Sequence, residues 1–191
     1  REWHQMLYDY VNRHKSYTPL FSKMPNEFLQ YLEHECEGPP ENFPYLLELA
    51  HYEWLETALS IDTREIDLSN IDQKGNLLEG IPVLNPISIA LAYVWPVHEI
   101  SPRNLPKSPP SEKTYIFVYR RQNDEVGFIV LNLVSAKLVE YLQSNEKNNG
   151  HQILTKIAHE LKHPNPEIVI QGGLEMMQNF LIKDILLGTK K

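Results

Sequence analysis

At 191 residues the chain is long enough to bury a core of its own, and 42% hydrophobic with 23% charged residues is a globular balance that excludes a disordered tail or a fibrous repeat. A net charge of -7 is the wrong sign for a protein that draws its affinity from nucleic-acid phosphates. The single cysteine, Cys36, excludes an internal disulfide and a thiolate cage for zinc or iron–sulfur, and no apolar run approaches the roughly 20 residues that span a bilayer.

The charge is uneven. Residues 1–70 hold five Lys or Arg against thirteen Asp or Glu, a net -8, whereas residues 71–191 come to +1. In chain order, Trp3, Met6, Leu7, Tyr10 and Val11 recur at the spacing of one helix face. The chain opens inside that pattern on Arg1, so a preceding segment is expected; with no signal-peptide pattern, so is a cytoplasmic location. Ser16-Tyr17-Thr18-Pro19 closes the helix, Pro25 opens a short one carrying Phe28, Leu29 and Leu32, and Gly38-Pro39-Pro40 is a break. From Pro44 to Ser60 the pattern predicts a helix apolar on two sides, as a central helix would be.

Residues 61–80 read as a polar linker. Beyond them the period changes to two, and Ile87, Ile89, Leu91, Tyr93 and Trp95 alternate as a half-buried strand. After the proline-rich loop Ser101 to Pro110, the runs Tyr115 to Arg121 and Val126 to Asn132 flank Gln122-Asn123-Asp124-Glu125 and predict a hairpin. Helices are predicted over 134–144, 151–162 and 174–182, before the apolar run Ile185-Leu186-Leu187. The fold class is α+β: a helical domain over residues 1–70, then an α+β domain over 71–191 with a small antiparallel sheet, C-terminal helices and a winged-helix-like end.

Catalytic signatures are weak. His159-Glu160-Leu161-Lys162-His163 matches the H-E-x-x-H zinc spacing. On a helical projection both histidines face away from the apolar stripe of Ile153, Leu154 and Ile157, and Pro164 and Pro166 follow at once, which favours a solvated pair. Cys36 stands among Glu33, Glu35 and Glu37, which blunt it as a nucleophile. Glu48, Glu53 and Glu56 read mostly as a solvated face, with Glu53 bordering the apolar stripe. No catalytic residue, metal ligand or cofactor site is predicted. The sharpest candidate surface is a partner-binding face of Tyr115, Phe117 and Tyr119 beside Arg120 and Arg121, because alternation puts the three rings on one side of a strand and exposed aromatics next to Arg suit an interface.

Several segments, in this order, carry a resemblance: Tyr10-Val11-Asn12-Arg13-His14; Pro25-Asn26-Glu27-Phe28-Leu29; Phe43-Pro44-Tyr45-Leu46-Leu47-Glu48-Leu49-Ala50 leading to Glu53-Trp54; Tyr93-Val94-Trp95-Pro96-Val97-His98-Glu99-Ile100; and Tyr115 to Arg121. Together they resemble the bacterial HvfC/MbnC-like family, also described as DNA-binding. The resemblance implies a two-domain, non-catalytic accessory or chaperone protein in ribosomal peptide modification. Its partners would be a precursor peptide, bound through the leader, and a multinuclear iron enzyme of the HvfB/MbnB kind. The rival reading, a DNA-binding transcription regulator, rests on the winged-helix-like end, where Glu175, Gln178 and Asn179 supply no phosphate-neutralising charge.

Overall fold

The computed structural model describes residues 2–15, 17–36 and 41–191, without the side chain of Glu2. The expected break at Gly38-Pro39-Pro40, and Ser16 of the first turn, lie outside the described residues. The chain divides into two compact units that are discontinuous in sequence: residues 1–58 with 93–114, and residues 59–92 with 115–191. It therefore passes between them three times rather than once at residue 70.

The first unit is built on α1 (Glu2–Arg13), α2 (Met24–His34) and most of α3 (Leu46–Ser60). Pro25 stands in the first turn of α2, where its missing N–H costs no hydrogen bond. Met6, Tyr31, Leu32 and Leu46 are buried together, and Tyr10 meets Phe28 edge to face at 5.1 Å. Charged groups then fix the connections. The buried Glu27 carboxylate accepts the backbone N–H groups of Tyr17 and Thr18 at 2.9 and 3.0 Å, and His14 lies 2.7 Å from Glu35 through Nδ1. Glu48 is a clamp rather than a solvated carboxylate: its two oxygens accept the N–H groups of Val94 and Trp95 at 3.0 and 2.8 Å.

The second unit holds two three-stranded antiparallel sheets instead of the single one expected. One runs β1 (Ile71–Asp72), β6 (Leu186–Lys190), β2 (Pro82–Leu84); the other runs β3 (Ser88–Tyr93), β4 (Thr114–Arg120), β5 (Val126–Leu131). Helices α4 (Leu133–Gln143), α5 (Gly150–Glu160) and α6 (Pro166–Ile182) contribute Leu138, Leu142, Ile153, Leu154, Ile157, Met177 and Phe180 to a core shared with Phe117, Tyr119, Ile185 and Leu186. Asparagine starts each helix. Asn132 accepts Ser135 N–H, Asn149 and Gln152 form a reciprocal capping box, and Asn165 accepts Glu167 N–H. Pro166 opens α6 eight residues before the predicted start, so what reads as a proline break is an Asn-Pro helix entry.

Residues 61–80 are no free linker. Arg64 grips Asp62 at 2.6 Å and donates to Pro86 O at 2.9 Å, and this guanidinium holds the Asp62 carboxyl down to about 2. Further on, Gly150 and His151 donate backbone hydrogen bonds to Gly80 O and Leu78 O.

Candidate functional site

β4 is the middle strand of its sheet, and this decides the fate of the predicted partner-binding face. Alternation does put Tyr115, Phe117 and Tyr119 on one side. That side is the core: Phe117 and Tyr119 are 0% and 1% exposed, stacked 5.9 Å apart, and Tyr115 is half-buried against the same cluster. A buried ring offers no surface, so the expected exposed aromatic face is corrected to a packing face. The other side is covered too, because Ile116 and Val118 are also buried. Arg120 is not at the surface either. Its guanidinium turns inward and donates to the backbone carbonyls of Leu59, Asp62 and Arg64. Arg121 alone of the five keeps a partly open side chain free of core packing, beside Glu65 and Gln122 around a surface cavity of about 350 Å³.

The outer strand β5 presents what β4 does not. Arg120 N–H reaches Ile87 O at 2.9 Å, so the even-numbered residues of β4 direct their backbone groups toward β3 and the odd-numbered ones toward β5. Through the register Tyr115↔Leu131, Phe117↔Ile129 and Tyr119↔Gly127, the residues of β5 that pair with β4 are 127, 129 and 131. Val126 and Val130 consequently turn their N–H and C=O groups to the open side. Beside this edge, between the end of β5 and α6, lies a groove of about 540 Å³ lined by Ile129, Val130, Leu131, Met176, Asn179 and Phe180, among others. A strand edge next to a groove with apolar and amide walls can take up an extended peptide: the edge pairs its backbone, and the groove accepts alternate side chains.

The zinc-like spacing is interrupted by the end of its helix. α5 ends at Glu160, Lys162 takes a positive φ of 49°, and His163 lies beyond the turn with its Nδ1 2.7 Å from Asn165 O. The two histidines therefore do not share one helical face. Glu160 is engaged by Lys137 at 2.6 Å and by the Tyr141 hydroxyl. Among the described residues no three His, Cys, Asp or Glu gather to hold a metal ion. The exposed side of α6 carries Gln171, Glu175, Gln178 and Asn179, an uncharged-to-acidic row that lacks the phosphate contacts dominating DNA affinity. No described helix is long and apolar enough to cross a membrane.

One part-buried pair in the first unit favours its neutral forms. His51 Nδ1 lies 2.8 Å from the Tyr93 hydroxyl. Burial pushes the Tyr93 hydroxyl well up from its usual value, while burial lowers His51 from 6.5 despite Glu33 and Glu48. A neutral imidazole accepting the tyrosine proton satisfies both. Between the lowered folded value and 6.5 the unfolded chain binds the extra proton, so stability falls as pH drops through that window. Urea titrations at several pH values should show a flatter slope for His51→Gln than for the parent over this window; equal slopes would contradict the assignment.

A family model described as the HvfC C-terminal domain matches residues 85–181, just over half of the 191. No curated protein matches the chain. The matched span takes in β3, β4, β5 and nearly all of α4 to α6, and so all but one of the residues lining the groove beside β5.

Proposed function

The chain belongs to the HvfC family, and on that footing we propose that it is a non-catalytic accessory subunit of a peptide-modification system. In this reading it holds the leader of a ribosomally made precursor peptide and delivers it to a multinuclear iron enzyme of the HvfB/MbnB kind, which makes and breaks the bonds. The observation that carries the reading is the outer edge of β5. It lies within the family-matched span, its Val126 and Val130 backbone groups face outward, and α6 walls a groove alongside. A leader laid along Val126–Leu131 as an added strand is held through main-chain hydrogen bonds, which tolerate sequence variation, while alternate side chains enter the groove. The other sheet gives no comparable surface, because its middle strand β6 is already paired on both sides and β1 and β2 are two and three residues long.

Val130→Pro separates this reading from a merely structural strand. Proline removes an N–H that faces the open side, so the β4–β5 ladder keeps its bonds, and the 53% exposed side chain leaves no cavity. The full chain is expected to co-purify with a neighbouring iron-enzyme homologue and to bind its precursor peptide. The proline variant should stay folded and keep the enzyme while losing the peptide. Retention of full leader affinity by a folded Val130→Pro protein, or failure of the parent to associate with enzyme and peptide alike, would sink the reading.

A further inference from the structure

The first unit carries a second concavity that owes nothing to the strand edge. It has a volume of about 690 Å³ and is walled by all three helices and by the 100–105 segment, including Trp3, Phe28, Leu49, Trp54 and Leu105. Trp3 is 40% exposed and Leu105 51% exposed, so large apolar groups stay in water at the mouth. Trp3 and Phe28 are held edge to face at 6.1 Å, so this part of the wall is preformed. Against this apolar lining stands one carboxylate, Glu53, exposed on α3 beside Trp54. Tyr45, another lining residue, carries a hydroxyl that is buried without a hydrogen-bond partner, and burial raises its pKa so that it remains a neutral donor.

These features are complementary to one kind of occupant. We propose that this groove docks an amphipathic segment of a partner protein, apolar on one side and carrying a Lys or Arg that meets Glu53 against the Trp54 ring. A cation is favoured at a carboxylate next to an aromatic face. The unit as a whole supports the same sign, because residues 1–58 and 93–114 hold seven Lys or Arg against twelve Asp or Glu, a net -5. That field steers basic segments in and repels acidic ones. The apolar wall supplies the burial.

The test uses the full chain and three fluorescein-labelled synthetic peptides of equal length. One is a helix former with Leu and Trp at i, i+3, i+4 and i+7 flanked by Lys; the second has Glu in place of Lys; the third scrambles the first. By fluorescence anisotropy the Lys peptide is expected to bind at least about tenfold more tightly than either of the others, and to weaken as salt rises. Glu53→Lys, at an exposed site, should reverse the preference between the Lys and Glu peptides, and Leu105→Glu should weaken the Lys peptide at least about tenfold. Val130→Pro should change nothing, which keeps this surface separate from the strand edge. The proposal is overturned if the Lys and Glu peptides bind alike, if Glu53→Lys leaves their ranking unaltered, if no peptide binds at about 0.1 mM, or if light scattering shows a self-dimer that Leu105→Glu dissolves.

Discussion

Arg120→Met is expected to lower the unfolding free energy by about 3–5 kcal/mol, far more than Arg121→Met at the neighbouring position. Arg120 is 7% exposed, and its guanidinium is the donor for the carbonyl groups of Leu59, Asp62 and Arg64 as the chain leaves α3. The Leu59 carbonyl keeps a 3.3 Å bond from Asp62 N–H, whereas the Asp62 and Arg64 carbonyls lie past the end of the helix; a planar guanidinium with fixed N–H directions can meet all three where a single ammonium cannot. Asp124, 3.6 Å from Nε and 86% exposed, adds little beyond this. Methionine matches the aliphatic stem, so the loss reports the orphaned carbonyls rather than a cavity. Arg120→Lys should recover only part of the loss, and Arg121→Met should stay within about 0.5 kcal/mol of the parent. The comparison is a set of urea unfolding curves, and similar midpoints for the two methionine variants would show that Arg120 is not the anchor.

The same residue shows what the sequence could and could not tell. Alternation along Thr114–Arg120 assigns faces correctly, yet it says nothing about which faces are wet. The clue lay in Tyr-Ile-Phe-Val-Tyr, five residues without a polar break: a strand covered on both sides reads as an apolar run, whereas a half-exposed strand alternates with polar residues. The helices were legible because each spans at least three turns and repeats its apolar spacing. β1, β2 and β6 were not, since segments of two, three and five residues carry no period of their own. Their pairing also joins Ile71 to Lys190 and Pro82 to Thr189 across more than a hundred residues of chain. The edge character of β5 was equally hidden, because whether a strand is terminal depends on where β3 docks, on the far side of β4. Acidity of the N-terminal part was visible from composition, but its use, a lone carboxylate set in an aromatic groove, required α1, α2 and α3 to be brought together.

Gly188→Ala is the second substitution expected to be severe, at about 3 kcal/mol or more, and it tests how the chain's last strand is held. β6 is the middle strand between β1 and β2, with Leu186 and Leu187 buried in the second unit. Its register against β2 shifts between Val83 and Leu84, so that Leu84 pairs with Leu186 and Val83 with Gly188. Accommodating the extra residue puts Gly188 at φ +135°, a conformation that a Cβ disfavours. Space forbids it as well: a Cβ there would lie 2.3 Å from Asp72 O and 2.8 Å from Gln73 Cα, both backbone atoms that cannot rotate aside. Relief requires β1 to separate from β6, with loss of the Asp72↔Thr189 pairing. Gly172→Ala provides the contrast, since a Cβ at that position in α6 meets nothing within 4 Å. There the substitution should stabilise by about 0.5–1 kcal/mol, by lowering the conformational freedom of the unfolded chain. Thermal unfolding of the two variants therefore moves in opposite directions if β6 is pinned by backbone geometry at Gly188. Equal shifts would mean that the strand yields there, and that the buried Leu186 and Leu187 alone keep it in place.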